Sequence, residues 1–244
     1  PLTRERAKPA VPFGGPYRLI DFTLSNCINS GLRKIFIATQ YKAQSLNRHV
    51  RMGWNVVNRE LGEFIEILPP QKRMGEHWYL GTADAVWQNM HAIERERPRW
   101  VIVLAGDHIY KMDYGKMLDV HIARGARLTV AAIEVPLGEA SRFGVLEVDD
   151  DARVVGFREK PETAPCAPWS PGACLGSMGV YIFDVDVLVR ELQRHGASVQ
   201  VVMTDAAAMF ITPVTMQALS NRSVYTSQWD AREPNAMAHI NLTR

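Results

Sequence analysis

The chain has 244 residues, room for one large α/β domain or two small ones, and its 47% hydrophobic and 22% charged content is that of a soluble globular protein. Its 28 Lys and Arg against 26 Asp and Glu leave a formal charge of +2, too small to argue for nucleic acid or a membrane surface as partner, and no apolar run reaches the roughly 18 residues of a membrane span. Cys27, Cys166 and Cys174 form an odd set without C-x-x-C spacing, and no signal-peptide pattern accompanies them, so reduced thiols and a cytoplasmic location are expected.

Residues 1–18 read as loop, because Pro9, Pro12, Pro16 and the pair Gly14-Gly15 force extended and turning backbone. Arg4, Arg6, Lys8 and Arg18 place cations in it, either as a phosphate-facing patch or as a solvated basic surface. The spacing of Phe22, Leu24, Cys27 and Ile28 predicts a helix from Ile20 to Ile28, stopped at Asn29-Ser30-Gly31. A strand over Lys34–Thr39 delivers Gln40 at its carboxyl edge, a helix spans Ala43–Gly53, and a strand over Phe64–Leu68 ends at Pro69-Pro70. After a loop, Gly81-Thr82-Ala83 opens a helix through Val86, Met90 and Ile93. The glycine turn either brings backbone N–H groups to a ligand or precedes an ordinary N-cap at Thr82.

Trp100–Leu104 is a continuous apolar run broken by Ala105-Gly106, which delivers Asp107. Such a run suits a strand buried on both faces, as in a parallel sheet, and Asp107 then stands at the strand end where open α/β sheets bind ligands. A helix N-cap is the competing role. Beyond it come a helix over Tyr114–Ala123, a strand over Leu128–Val135, and strands Phe143–Val148 and Val154–Phe157 joined by Asp149-Asp150-Asp151, a hairpin whose acidic turn is solvated rather than metal-bound. Glu159-Lys160-Pro161, a proline-rich loop, a strand over Ser177–Phe183 and a helix over Val185–Arg194 follow. From Val199 onward sustained periodicity is lost, apart from a short helix over Thr204–Phe210.

The G-x-G-x-x-G, P-loop and G-x-S-x-G patterns are all absent, which disfavours dehydrogenase, P-loop kinase and α/β-hydrolase chemistry. What remains is a cationic loop, glycine turns near strand ends and one well-placed aspartate, suited to an anionic substrate held with a divalent cation.

Six stretches, R-A-K-P-A-V-P-F-G-G (6–15), L-S-N-C-I-N-S-G (24–31), W-Y-L-G-T-A-D-A-V (78–86), L-A-G-D-H-I-Y (104–110), F-R-E-K-P (157–161) and S-M-G-V-Y-I-F (177–183), occur in an order and spacing that closely resemble bacterial ADP-glucose pyrophosphorylases, the glucose-1-phosphate adenylyltransferases. The resemblance covers about residues 1–195. It implies a Rossmann-like, GT-A-like nucleotidyltransferase domain, a mostly parallel sheet flanked by helices, over residues 1–198, with 199–244 as a divergent tail. It implies adenylyl transfer from ATP to glucose 1-phosphate with Mg²⁺, in glycogen biosynthesis, by a cytoplasmic homotetramer under allosteric control, without nucleic-acid or membrane partners. By the same resemblance, Lys8 lies near the ATP phosphates, and Gln40, Tyr79, Gly81 and Thr82 lie around the base. Asp107 holds Mg²⁺ and is central to catalysis, Lys160 binds the sugar phosphate, Glu159 the glucose hydroxyls, and Ser177 and Gly179 flank the glucose pocket. Arg18 resembles part of an activator site. Relative to the family pattern the sequence is expected to lack the first strand with its glycine-rich G-T-R-L loop, the W-R-D-V-G-T segment with a second metal-binding aspartate, and the C-terminal β-helix domain. Two other readings stay open: a catalytically incomplete fragment or binding subunit that keeps part of the sugar-phosphate pocket, and a UDP- or dTDP-sugar pyrophosphorylase.

Overall fold

A computed structural model describes residues 2–70 and 79–194. The tail expected from residue 199, with its short helix over Thr204–Phe210, lies outside the described residues.

Helix α1 (Leu19–Asn29) begins where the Asp21 carboxylate accepts the Arg18 backbone N–H at 2.7 Å, satisfying a group that the helix start leaves free. It ends at Ser30, and Gly31 turns the chain at φ +79°, a left-handed conformation that glycine adopts without a Cβ clash. Strands β1 (Lys34–Ala38) and β2 (Phe64–Leu68) pair in parallel, from Lys34 opposite Phe64 to Ala38 opposite Leu68, with α2 (Gln44–Gly53) in the crossover. Ile20 and Leu24 of α1, Ile37 of β1 and Leu46 and Val50 of α2 share one core with Ala10 of the entry loop.

The second sheet is built around one long strand. It contains β3 (Trp100–Val103), β4 (Leu128–Pro136), β5 (Gly144–Val148), β6 (Val154–Glu159) and β7 (Ala173–Asp184). β4 runs along one edge of β7, while the other edge is shared: β3 occupies Tyr181–Asp184 and β5 occupies Leu175 and Gly176. β6 pairs with the far edge of β5.

The α/β class holds, with the parallel pair β1–β2 flanked by helices, but the expectation of a mostly parallel sheet is corrected around β7, where every described pair is antiparallel. The connection between β5 and β6 is a hairpin turn at residues 149–153, too short for the crossover that parallel pairing requires. The apolar run at Trp100 is covered on both faces as expected, but in an antiparallel pairing. Trp100 and Ile102 face a core built from Cys27 of α1, Ile182 of β7, and Tyr114 and Met117 of α5 (Tyr114–Ala123). Val101 faces the opposite core, with Met90 of α4 (Met90–Glu96), Val86 of α3 (Thr82–Gln88), and Leu188 and Val189 of α6 (Val185–Arg194). Helices therefore cover both faces of an antiparallel strand, and two covered faces produce a continuous apolar run whatever the strand direction.

The single helix expected from Thr82 through Ile93 is two helices. Asn89 separates them at φ −108°, its side-chain amide donating to Ala85 O at 2.8 Å and to the Tyr79 hydroxyl at 2.9 Å. A buried asparagine that bonds locally competes with the helical backbone ladder. The cap of α3 is Gly81 rather than Thr82, with no side-chain cap bond.

Candidate active site

Residues 104–113, between β3 and α5, carry Asp107 in a loop that α1 holds from below. Thr23 donates to Ala105 O at 3.1 Å, and Asn26 donates to Tyr110 O at 2.9 Å. Both side chains are buried, so these bonds give their polar groups the partners that burial demands while fixing the loop carbonyls. At the far end Asp113 caps α5, accepting from Gly115 N at 2.9 Å. Asp107 is thus not the helix cap; that role falls to Asp113.

The entry loop approaches beside Gly106. A Cβ there would stand 3.0 Å from Ile20 Cδ1 and 3.5 Å from Pro9 Cγ, so a larger residue would press on the buried isoleucine while meeting Pro9 at ordinary contact distance. Pro9 belongs to a short 3₁₀ turn, Lys8–Ala10. The turn presents Lys8, whose Nζ lies 2.6 Å from Asp107 Oδ2. The other carboxylate oxygen, Oδ1, is 4.0 Å from His108 Nε2, beyond hydrogen-bond distance.

The residues expected on the sugar side lie at the bulge of β7 and the end of β6. In β7, Ser177 pairs with Ala132 but Tyr181 pairs with Val130, so Met178, Gly179 and Val180 bulge out opposite Ala131 alone, with Gly179 at φ +68°. Bulges of this kind re-aim side chains beside functional sites. Gly179 N donates to Ser177 Oγ at 3.3 Å, and Ser177 Oγ lies 3.4 Å from the Tyr181 hydroxyl. The bulge falls where β3 has ended and β5 has not begun, the gap in the shared edge of β7. Glu159 closes β6 opposite Gly144, and Lys160 adopts φ +45° with its N–H donating to Phe143 O at 3.0 Å. Both side chains are exposed, and their ion-pair separation is 3.6 Å.

The residues expected on the nucleotide side form a third group. Gln40, at the end of β1, donates to Tyr79 O at 2.9 Å, and Gly81 and Thr82 follow at the start of α3. Arg18 is used by the fold, its guanidinium donating to Ala10 O at 3.3 Å and Ser45 O at 3.1 Å. Arg4 and Arg6, with Leu2, Glu5 and Pro12, line a surface cleft of about 560 Å³. The structure therefore pairs Lys8 with Asp107, Glu159 with Lys160, Ser177 with Gly179 and Gln40 with Tyr79. Among the described residues no hydrogen bond or ion pair links one of these pairs to another.

Beneath the loop the Tyr110 and Tyr114 hydroxyls are 2.8 Å apart. Burial raises both phenol pKa values, and it pushes the Cys27 thiol up to about 12, so these groups stay protonated. Sequence spacing does not single out Thr23, Asn26 or Tyr181, which act through tertiary contacts that local pattern does not encode. His108 is also missed by motif reasoning, although its adjacency to Asp107 is a signal that could have found it.

Mg²⁺ typically takes one or two carboxylates plus substrate phosphates. The donor set here fits that demand: Asp107 offers Oδ1 outside any hydrogen bond, and among the described residues no cluster of three or more His, Cys, Asp or Glu supplies an all-protein cage.

Three relatives share most of this chain. Glucose-1-phosphate adenylyltransferase 2 of Vibrio cholerae is 57% identical over 192 residues, which is 79% of this chain and 47% of that protein. Glucose-1-phosphate adenylyltransferase of Koribacter versatilis is 58% identical over 196 residues, 80% of this chain and 47% of that protein. The enzyme of the same name from Rhodopirellula baltica is 55% identical over 193 residues, 79% of this chain and 43% of that protein. The chain spans about half the length of the curated relatives it matches. The family model described as nucleotidyl transferase matches residues 1–224, past the end of the domain expected from the sequence, and on that match the chain belongs to the nucleotidyl transferase family.

Proposed function

We propose that this domain transfers the adenylyl group of ATP to glucose 1-phosphate, giving ADP-glucose and pyrophosphate for glycogen synthesis. The observation that carries the reading is the Lys8–Asp107 contact at 2.6 Å, which puts a cation and a carboxylate on one point in a chain 55–58% identical to enzymes named for that reaction. A phosphate oxygen of glucose 1-phosphate attacks the α-phosphorus of ATP, the bond from that phosphorus to the bridging oxygen breaks, and pyrophosphate leaves with the electron pair. No covalent enzyme intermediate is needed, only alignment and neutralisation of charge.

Lys8 binds and orients the triphosphate, Lys160 takes the sugar phosphate, and Glu159 accepts hydrogen bonds from glucose hydroxyls. Gln40, Tyr79, Gly81 and Thr82 form the base side, and Ser177 and Gly179 line the glucose side. Mg²⁺ on Asp107 supplies neutralisation of phosphate charge when bound. Arg18 is proposed as an effector contact, and a cytoplasmic homotetramer as the working assembly. No helix among the described residues is long and apolar enough to cross a membrane.

A second reading is binding without turnover, in which the Lys8–Asp107 ion pair at 2.6 Å keeps the carboxylate from holding a metal ion. Pyrophosphate release and formation of the matching nucleoside-diphosphate glucose are measured with glucose 1-phosphate and ATP, then with UTP and dTTP. Turnover with ATP in preference to the other two supports adenylyl transfer. Preference for UTP or dTTP replaces the base assignment, and saturable glucose 1-phosphate binding without turnover selects the second reading.

A further inference from the structure

We infer that His108 is a substrate-contacting residue for the sugar 1-phosphate, spanning the gap between the phosphate side and the sugar side of the site. The inference rests on the adenylyl-transfer reading of that site. His108 follows Asp107 directly, and its side chain is 42% exposed. Its ring Cε1 lies 3.6 Å from the position a Cβ on Gly179 would occupy. The ring also meets Tyr110 edge-on, with centroids 6.0 Å apart and an interplanar angle of 64°. The imidazole is therefore steered from two sides, by an aromatic neighbour in its own loop and by the left-handed glycine of the β7 bulge. A Cβ at residue 179 would touch the ring at ordinary van der Waals distance, so it is the left-handed backbone at φ +68° that calls for glycine there.

The ring nitrogens, in contrast, are uncommitted. Nε2 stands 4.0 Å from Asp107 Oδ1, and among the described residues neither nitrogen makes a hydrogen bond. A neutral imidazole carries one N–H donor and one acceptor, and a half-exposed ring with neither spent among the described residues has both available to a ligand. In a sugar 1-phosphate lying between the metal-holding carboxylate proposed at Asp107 and the proposed sugar-side strand, the group nearest the ring is the phosphoryl group on the anomeric oxygen. A ring N–H donated to one of its non-bridging oxygens is a charge-assisted bond. It discriminates a phosphorylated sugar from a free one without touching the adenine or ribose of the nucleotide.

The test uses the full chain and equilibrium binding, so that it does not depend on turnover. Calorimetry gives the affinities for glucose 1-phosphate and for ATP with Mg²⁺, and the imidazole Cε1–H resonances report on the ring. The His108 resonance is identified as the one missing from the spectrum of His108→Ala. Expected are a shift of that resonance with glucose 1-phosphate but not with glucose, a loss of roughly tenfold or more in glucose 1-phosphate affinity in His108→Ala, and ATP affinity within about twofold of the parent. His108→Gln, which keeps a donor at comparable reach, recovers part of the loss.

If the parent binds glucose 1-phosphate and Lys160→Ala weakens it, while His108→Ala binds normally and the resonance stays still, the inference fails and the site reading survives. Equal weakening of both ligands in His108→Ala without recovery in His108→Gln assigns the ring to loop support and also overturns it. Absence of any glucose 1-phosphate binding by the parent overturns both readings together.

Discussion

Lys8 and Asp107 come from segments 99 residues apart yet end in contact at 2.6 Å, and single-residue changes separate their two contributions. Asp107→Asn keeps the shape of the side chain but removes its charge, so turnover falls at least roughly 100-fold while ATP binding changes less. Lys8→Ala weakens triphosphate binding as well, yet the lysine is 67% exposed, so its surface pair adds little to stability and the melting temperature stays near that of the parent. Kinetics set beside calorimetry distinguish the two patterns; near-normal turnover in Asp107→Asn would remove its role. Glu94 of α4 has a different fate. Among the described residues its Oε1 is buried without a hydrogen-bond partner, and burial pushes its pKa from 4.5 up to about 7. Because the folded-state value is raised, the protonated form is favoured in the native protein; that stabilisation is complete below the unfolded value and is lost as pH rises through about 7. The loss amounts to about 3 kcal/mol. Glu94→Gln is expected to flatten the stability profile across this window and to unfold at higher denaturant than the parent at about pH 8; identical chemical-denaturation profiles would contradict this.

At the level of elements, α1 acts as the platform of the site. Thr23 and Asn26 sit on one of its faces and bond to carbonyls at both ends of the Asp107 loop. Thr23→Val keeps the volume but leaves Ala105 O without that donor, costing about 1–3 kcal/mol and lowering kcat through a looser Asp107. Thermal melts combined with initial rates show whether both fall together. These contacts mark the limit of what local sequence conveys. The bounds of β2, α5 and α6 follow from spacing and caps, since Asp113, Gly125 and the prolines after Leu68 act locally. The break at Asn89 and the antiparallel arrangement around β7 depend on partners far along the chain, and a β-rich apolar run carries no mark of its neighbour's direction. Within the site, glycine turns and strand ends are local signals, and they suffice to single out Asp107 and Gln40. Glu159, Lys160, Ser177 and Gly179 are legible only through family resemblance, because each depends on pairing between β5, β6 and β7.

Over the whole molecule the three cysteines test the layering of the fold. Cys27 lies between α1 and the second sheet and Cys174 beneath the β4–β5 region, both buried, whereas Cys166 is exposed in the loop before β7. Burial raises the thiol pKa of both interior residues, and a protonated, inaccessible thiol reacts slowly. Ellman's reagent is expected to modify Cys166 alone in the native chain and all three thiols after denaturation. Rapid modification of Cys27 in the native chain would mean that the contact between α1 and the sheet opens.

The shared edge of β7 has a mechanical consequence. One continuous strand carries β3 near its end and β5 near its beginning, with the bulge at Met178, Gly179 and Val180 between them. The proposed phosphate and sugar subsites are thereby mounted on a single beam with one flexure. Displacement of one relative to the other is a bend about that point rather than a slide of two sheets. Amide hydrogen exchange should show two slow stretches, at Leu175–Ser177 and Tyr181–Asp184, flanking faster amides at 178–180, and substrates that reach both arms of the beam should slow the exchange at the flexure between them.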